Sequence, residues 1–160
     1  MHAPIQLVLV TPEIPANTGN IVRLCAATST RLHLIEPLGF KMDDRALKRA
    51  GLDYWDKCEI RRHLTFEQLE LEHPQARFLF LTAHAKQSFY SALIRPGDFL
   101  VMGPESTGLP KYFLDEGNRR ENAFRIPMPG KTRSLNLSTS AGIVVYEALR
   151  KLDALIEPTE

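Results

Sequence analysis

The residue best suited to chemistry is Arg23, the only charged residue between Asn17 and Thr30. A guanidinium on an apolar helix needs an anionic partner, and its planar fork can bind a phosphate or a carboxylate through two parallel hydrogen bonds. The partner is either a ligand phosphate or a carboxylate of the chain, such as Glu13 or Glu105. Arg23 therefore predicts an anion-binding site or, as the alternative, a structural salt bridge.

A second candidate segment is the loop 103–110, which directly follows the apolar run Phe99–Met102. Gly103 and Gly108 allow the backbone to approach a ligand closely. Glu105, between them, is either a turn carboxylate or a charge directed at a cation. The loop matches neither G-x-x-x-x-G-K-[ST] nor G-x-G-x-x-G, which disfavours a nucleoside triphosphate site and an ordinary dinucleotide site.

The third segment lies between the apolar run Ala123–Ile126 and the last apolar helix. Ser134, Asn136 and Ser138 alternate there with two leucines, so hydroxyl groups and backbone N–H groups face a potential ligand at a helix start. An ordinary Ser-rich N-cap explains the same pattern equally well.

The elements that must position these segments alternate between strands and helices. Short apolar runs predict buried strands over Ile5–Val10, Leu32–Ile35, Phe78–Thr82, Phe99–Met102 and Ala123–Ile126. Helices are predicted over Thr18–Ser29, Asp43–Gly51, from the capping box Thr65–Gln68 to His73, and over Leu137–Ile156. This order predicts an α/β fold, a parallel sheet with helices on both faces, in which the three segments converge beyond the carboxyl ends of the strands.

Composition sets limits on the whole chain. With 160 residues and 44% apolar content, we expect a single domain over 1–160. The net charge of +1 means that a nucleic-acid partner would need a local basic patch or a paired subunit. Cys25 and Cys58 lack metal-type spacing, and neither a signal peptide nor a membrane span is indicated. We therefore expect a cytoplasmic protein with no metal site and no membrane contact.

The three segments, in this order, resemble the three motifs of the SPOUT-type, trefoil-knotted RNA methyltransferases, and within them the small tRNA ribose methyltransferases of the TrmL/YibK type. The matching stretches are Asn17–Arg23, Gly103–Pro110, and Ile126–Met128 with Arg133–Ser138, supported by Leu34–Phe40, Arg49–Tyr54 and Val144–Ala148. Two departures are local: Met102 stands where Phe is common, and the loop Pro129–Thr132 differs.

The resemblance implies a C-terminal deep trefoil knot (SPOUT fold) that binds S-adenosylmethionine and releases S-adenosylhomocysteine. The implied cofactor-binding residues are Leu81, Gly103, Glu105, Gly108, Ile126, Met128, Ser134 and Leu135. The implied catalytic residues are Arg23, Asn17, Glu105, Ser134 and Asn136. It also implies a homodimer through the first and last helices, including Tyr146; the apolar excess of the last helix fits such an interface or simple core packing equally.

The implied reaction is methyl transfer to the ribose 2′-hydroxyl of the wobble nucleotide, cytidine or uridine 34, in the anticodon loop of a tRNA, with leucine tRNAs as the first candidates. Three alternatives are 2′-O-methylation of another tRNA or rRNA position, a non-catalytic RNA-binding protein with the same fold, and a small-molecule nucleotide-binding enzyme.

Arginine effectively never deprotonates in proteins, so Arg23 is assigned to holding an RNA phosphate and stabilising the developing alkoxide. The general base stays open: a bound phosphate oxygen or a water held by Ser134 or Asn136 are the hypotheses, with Glu105 orienting Asn17 or Arg23. Candidate RNA contacts, each of which could equally be a solvated surface residue, are Arg45, Lys48, Arg49, Arg61, Arg62 and His63, with Tyr54 or Trp55 stacking on a base.

Overall fold

A seven-stranded sheet forms the centre of the computed structural model, which describes residues 3–159. The strands are β1 (Gln6–Val10), β2 (Arg31–Ile35), β3 (Ile60–His63), β4 (Phe78–Leu81), β5 (Gln87–Ser88), β6 (Phe99–Met102) and β7 (Ala123–Arg125). The helices are α1 (Pro15–Thr28), α2 (Arg45–Gly51), α3 (Phe66–Glu72), α4 (Lys111–Leu114) and α5 (Leu137–Lys151), with 3₁₀ turns at Leu52–Lys57, Phe89–Ser91 and Arg119–Asn122.

The strand order is β3-β2-β1-β6-β4-β7-β5, and every neighbouring pair is parallel. The predicted parallel α/β sheet is therefore confirmed. No described helix is long and apolar enough to cross a bilayer.

Helices cover both faces of the sheet, as predicted. Successive side chains of a strand point to opposite faces, and in β1 Leu7 and Leu9 pack with α1 and α5 while Val8 and Val10 pack with α3 and α4. Each face has its own buried cluster of apolar side chains. The two clusters hold the sheet between them, and the three predicted loops lie at the carboxyl ends of its strands.

The last helix is shorter than predicted, because it ends at Lys151 rather than Ile156. Asp153 adopts a left-handed conformation with φ of 51°, and the amide of Ala154 donates to the carbonyl of Leu149 at 2.9 Å, so the chain turns away from the helix axis. Leu155 and Ile156 are consequently exposed instead of extending the apolar face. The first helix, by contrast, begins earlier than predicted, with Pro15 in its first turn.

Two strands were missed by the sequence analysis. β3 carries two exposed arginines and pairs on one side with β2 in the described sheet, and β5 has two residues. Neither has the continuous apolar run used to predict strands, because an edge strand is only half covered.

A buried histidine pair links β2 and β3. Nδ1 of His33 lies 2.9 Å from Nε2 of His63, and Nε2 of His33 lies 2.6 Å from Oε1 of Gln6. Neutral rings satisfy this arrangement when His33 donates to Gln6 and accepts from His63. Burial, with the nearby His63 and His73 rings, lowers the pKa of His33 to about 3.

This histidine should make folding stability depend on pH. The unfolded chain binds a proton at His33 below its ordinary pKa of 6.5, whereas the folded chain resists protonation until about pH 3. The free energy of unfolding should therefore be highest above pH 6.5 and fall on acidification by up to about 1.4 kcal/mol per pH unit for this one proton. Urea unfolding at pH 7, 6, 5 and 4 measures it. The slope should flatten in His33→Gln but not in the control His84→Gln, whose ring is exposed; equal slopes in wild type and His33→Gln would contradict the assignment.

Candidate active site

A carboxylate from a distant loop binds the backbone that leads into α1. The N-cap residue Ile14 offers no capping side chain. Instead Oε2 of Glu105 accepts from the amide of Glu13 at 2.7 Å, and Oε1 accepts from the amide of Ile14 at 3.0 Å and from Nδ2 of Asn17 at 3.4 Å. Glu105 thus pairs with two backbone donors that directly precede α1 and orients the side-chain amide of Asn17.

The side-chain amide of Asn17 also binds the third segment. Its Oδ1 accepts from Nδ2 of Asn136 at 3.1 Å. Oδ1 of Asn136 in turn accepts from the amides of Ser138 at 2.9 Å and Thr139 at 3.2 Å, which caps α5. The segment 134–138 is therefore an N-cap, as the simpler interpretation held, and it is also joined to the other two segments. We call the connected side chains Glu105, Asn17 and Asn136 the amide chain.

A second carboxylate makes the reverse connection between the first two loops. Oε1 of Glu13 accepts from the amide of Ser106 at 3.2 Å and from its hydroxyl at 2.6 Å. The loop after β1 and the loop after β6 therefore hold each other through two carboxylates. Because each carboxylate lies on one loop and binds backbone donors of the other, neither loop can shift alone.

Arg23 projects from α1 as an exposed residue. Its guanidinium carbon lies 4.9 Å from the centre of the Tyr54 ring, within cation–π range. It pairs with no carboxylate among residues 3–159. The alternative salt bridge to Glu13 or Glu105 is not formed, since both carboxylates bind other donors. No described carboxylate therefore occupies the N–H groups of Arg23.

A cavity of about 400 Å³ opens at the carboxyl ends of β4, β6 and β7. Leu81 and Met102 stand side by side in register at its floor. All eight residues predicted for the cofactor line it: Leu81, Gly103, Glu105, Gly108, Ile126, Met128, Ser134 and Leu135. The cavity therefore combines apolar walls with a glycine loop and hydroxyl groups, as an amphipathic ligand requires.

The residues predicted for catalysis do not all line the cavity. Glu105 and Ser134 line the cavity, whereas Asn17 and Asn136 stand beside it in the amide chain and Arg23 lies further along α1. The sequence analysis did not assign the other lining residues to the cofactor. Pro104, Ser106, Thr107, Arg133 and Leu137 lie within the named segments, whereas those outside them are Thr82, Ala83, His84, Met102 and Ser140. Thr82 ends a predicted strand, and Ala83 and His84 directly follow it, so the strand-end rule that found the other loops could have found them.

The candidate RNA contacts differ in their exposure and in the side chains with which they pair. Arg45, Lys48 and Arg49 are exposed on α2, which packs against α1. Arg61 and Arg62 are also exposed but are paired with Glu59 and Glu36. The prediction for His63 was wrong, because its side chain is buried against His33 and cannot reach a ligand at the surface.

The model of the SpoU rRNA methylase family matches residues 4–146 of the 160. The chain belongs to the SpoU methylase family. The match spans all three segments, and the seven-stranded parallel sheet is the SPOUT fold. The strand order alone does not show whether the chain is knotted. The deep knot therefore stays a prediction that family membership implies.

Several relatives cover nearly the whole chain. A protein from Escherichia coli K12, named tRNA (cytidine(34)-2′-O)-methyltransferase, is 48% identical over 149 residues, 92% of this chain and 94% of the relative. A protein of the same name from Acidovorax sp. strain JS42 is 46% identical over 96% of both chains.

The fold comparison agrees with the sequence comparison. A structure described as giving insights into the 2-OH methylation of C/U34 on tRNA is 46% identical, with a TM-score of 0.87 over 93% of this chain and 96% of that one. An AdoMet-bound rRNA methyltransferase from Sinorhizobium meliloti, 23% identical, has a TM-score of 0.82 over 95% of this chain and 58% of that one, and shows the shared fold alone.

Proposed function

We propose that this SpoU-family protein is a tRNA (cytidine/uridine(34)-2′-O)-methyltransferase, with leucine tRNAs as the first candidate substrates. The observation that carries the proposal is that relatives 46–48% identical over more than nine-tenths of the chain are named tRNA (cytidine(34)-2′-O)-methyltransferase. The description of a 46% identical structure extends this to C/U34. The second and third motif segments line one cavity, and Asn17 of the first segment is bonded to both of them beside it, so the chain has the parts that such an enzyme needs.

S-adenosylmethionine fits the cavity as the methyl donor. Apolar side chains of Leu81, Met102, Ile126 and Leu137 offer a surface for a purine, and the loop that begins at Gly103 brings backbone groups close to it. An added Cβ at Gly103 would lie 2.3 Å from the amide nitrogen of Leu109, so this close packing requires glycine. When bound there, S-adenosylmethionine supplies a methyl group activated on a sulfonium, and S-adenosylhomocysteine remains.

The amide chain positions the reacting groups. Glu105 binds backbone and amide donors with both oxygens, so we assign it to orienting Asn17 rather than to accepting the ribose proton. Asn17 and Asn136 keep the starts of α1 and α5 in fixed register beside the cavity. Alignment of an incoming hydroxyl supplies a large part of the rate in such a displacement.

Arg23 binds the RNA phosphate and stabilises negative charge on the ribose oxygen. It cannot serve as the base, because a guanidinium stays protonated. The guanidinium of Arg23, which has no carboxylate partner among the described residues, together with the exposed Arg45, Lys48 and Arg49 of α2, the helix packed against α1, provides the local positive charge that a chain of net charge +1 needs.

We also propose a cytoplasmic homodimer that uses α1 and α5. The two helices pack against each other, and Tyr146 remains 47% exposed on α5, available to a second copy. Two subunits would then present two basic patches to one anticodon loop.

Removal of the Glu13 carboxylate tests the role of the paired loops. Glu13→Ala should raise the KM for S-adenosylmethionine by about three- to tenfold, because the loop 103–108 loses both bonds to Ser106. Steady-state kinetics at saturating tRNA measures it. Glu116→Ala, just beyond the end of α4 and outside the lining of the cavity, is the control, and an unchanged KM in Glu13→Ala would show that the loop holds its shape unaided.

The decisive experiment for the function is nucleotide-resolved mapping of ribose methylation. Purified protein and an Arg23→Ala control are incubated with labelled S-adenosylmethionine and with modified or unmodified tRNA. We expect label at the wobble ribose with wild type only. Label at another nucleotide would overturn the substrate while keeping the reaction, and absence of label on tRNA would favour another RNA or a binding role.

A further inference from the structure

Tyr54 lies in the 3₁₀ turn Leu52–Lys57, immediately after α2, and its ring faces Arg23 of α1. We infer that Tyr54 is a positioning residue that holds the guanidinium of Arg23 by its aromatic face. The inference rests on the proposed role of Arg23 and adds a residue to it. The sequence analysis expected Tyr54 to stack on an RNA base, whereas in the structure its ring contacts Arg23 of the same chain.

The contact depends on an unusually close approach of two helices. A Cβ added at Gly19 would lie 2.5 Å from both the Cβ of Ala50 and the carbonyl oxygen of Leu47, and one added at Gly51 would lie 3.1 Å from the carbonyl oxygen of Gly19. Glycine at position 19 thus lets α2 rest directly on α1. The turn that extends α2 is thereby brought over the face of α1 on which Gly19 lies.

Helical spacing places Arg23 on that same face. Residues four apart on a helix are neighbours, so Arg23 follows Gly19 one turn later. The guanidinium carbon is then 4.9 Å from the centre of the Tyr54 ring, and Nζ of Lys57 is 5.9 Å from the same centre. The helix contact therefore determines where the ring stands, and the ring determines where the guanidinium stands.

An aromatic face suits this task better than a carboxylate. A ring attracts the cation through its quadrupole without occupying any N–H group. A carboxylate would take two of the five N–H donors and neutralise the charge, which would compete with a phosphate. Arg23 has an aromatic neighbour and no described carboxylate partner, so it is held while its fork remains available to RNA.

The kinetic test compares Tyr54→Leu, which removes the ring, with Tyr54→Phe, which keeps it. Tyr54→Leu should lower kcat for tRNA methylation about three- to thirtyfold, whereas Tyr54→Phe should keep kcat close to the wild-type value. The Kd for S-adenosylmethionine should be unchanged in both. The matched control is Tyr112→Leu, at a ring that is 74% exposed on α4.

Coupling to Arg23 separates positioning from a general structural effect. In an Arg23→Ala background, single-turnover rates should change less than twofold on adding Tyr54→Leu. An equal fall in both backgrounds would overturn the inference, as would full activity of Tyr54→Leu.

A spectroscopic readout keeps the test independent of the RNA substrate. The Arg23 Nε–H resonance, assigned by its loss in Arg23→Lys, should lie upfield through the ring current of Tyr54. It should move downfield in Tyr54→Leu and stay in place in Tyr54→Phe. If wild-type protein failed to methylate tRNA, the proposed function would fall while this shift still decided the contact; an unshifted resonance in Tyr54→Leu would overturn the inference alone.

Discussion

Arg23→Ala is expected to lower kcat for ribose methylation by about 10²- to 10³-fold while leaving the affinity for S-adenosylmethionine unchanged. The loss is large because the side chain supplies preorganised donors where negative charge develops. The affinity is spared because Arg23 does not line the cavity. Single-turnover methylation of tRNA and calorimetric titration of the cofactor measure the two quantities.

The comparison with Arg23→Lys tests the fork geometry. Lysine keeps the charge but offers a single compact ammonium in place of two parallel donors, so most of the activity should still be lost. Arg120→Ala is the control, because Arg120 is an exposed arginine paired with Asp115 on another part of the surface. Near-normal turnover by Arg23→Lys would refute bidentate binding and leave charge alone as the requirement.

Gly103→Ala is expected to weaken binding of S-adenosylmethionine by more than about tenfold and to lower the free energy of unfolding by about 2 kcal/mol. The added methyl group would lie 2.3 Å from the amide nitrogen of Leu109 and 2.4 Å from the carbonyl carbon of Gly108, so backbone must move. The loop that moves is a wall of the cavity.

Gly130→Ala is the matched control, because a Cβ at Gly130 meets nothing within 4 Å. Calorimetric titration and thermal unfolding of both variants give the comparison. If Gly103→Ala bound the cofactor like wild type, the close packing of the loop would be irrelevant to the site.

The sequence could predict where the site lies, because the carboxyl ends of parallel strands share one edge of a sheet. Three loops that follow apolar runs had to meet there, and the eight residues assigned to the cofactor by resemblance do line one cavity. β3 escaped prediction because an edge strand with two arginines lacks the apolar run of its neighbours.

The partners of individual side chains could not be predicted. Glu105 looked equally like a turn carboxylate, because the amides that it binds belong to residues more than 90 positions away. The neighbour of Arg23 depends on how closely α2 approaches Gly19, and no local pattern encodes that distance. Sequence spacing reports on one helix or strand at a time, whereas these contacts arise from the packing of two.

The amide chain joins residues that are far apart in sequence: 88 positions separate Asn17 from Glu105, and 119 separate it from Asn136. Contacts of such separation form late in folding, because the entropy of closing long loops must be overcome first. A chain emerging from the ribosome has the sequence of every strand of the sheet by residue 125, yet it cannot complete the amide chain until Asn136 has been synthesised. A chain that stops between Arg125 and Asn136 would therefore contain all seven strands but lack the side chain that links Asn17 to the start of α5.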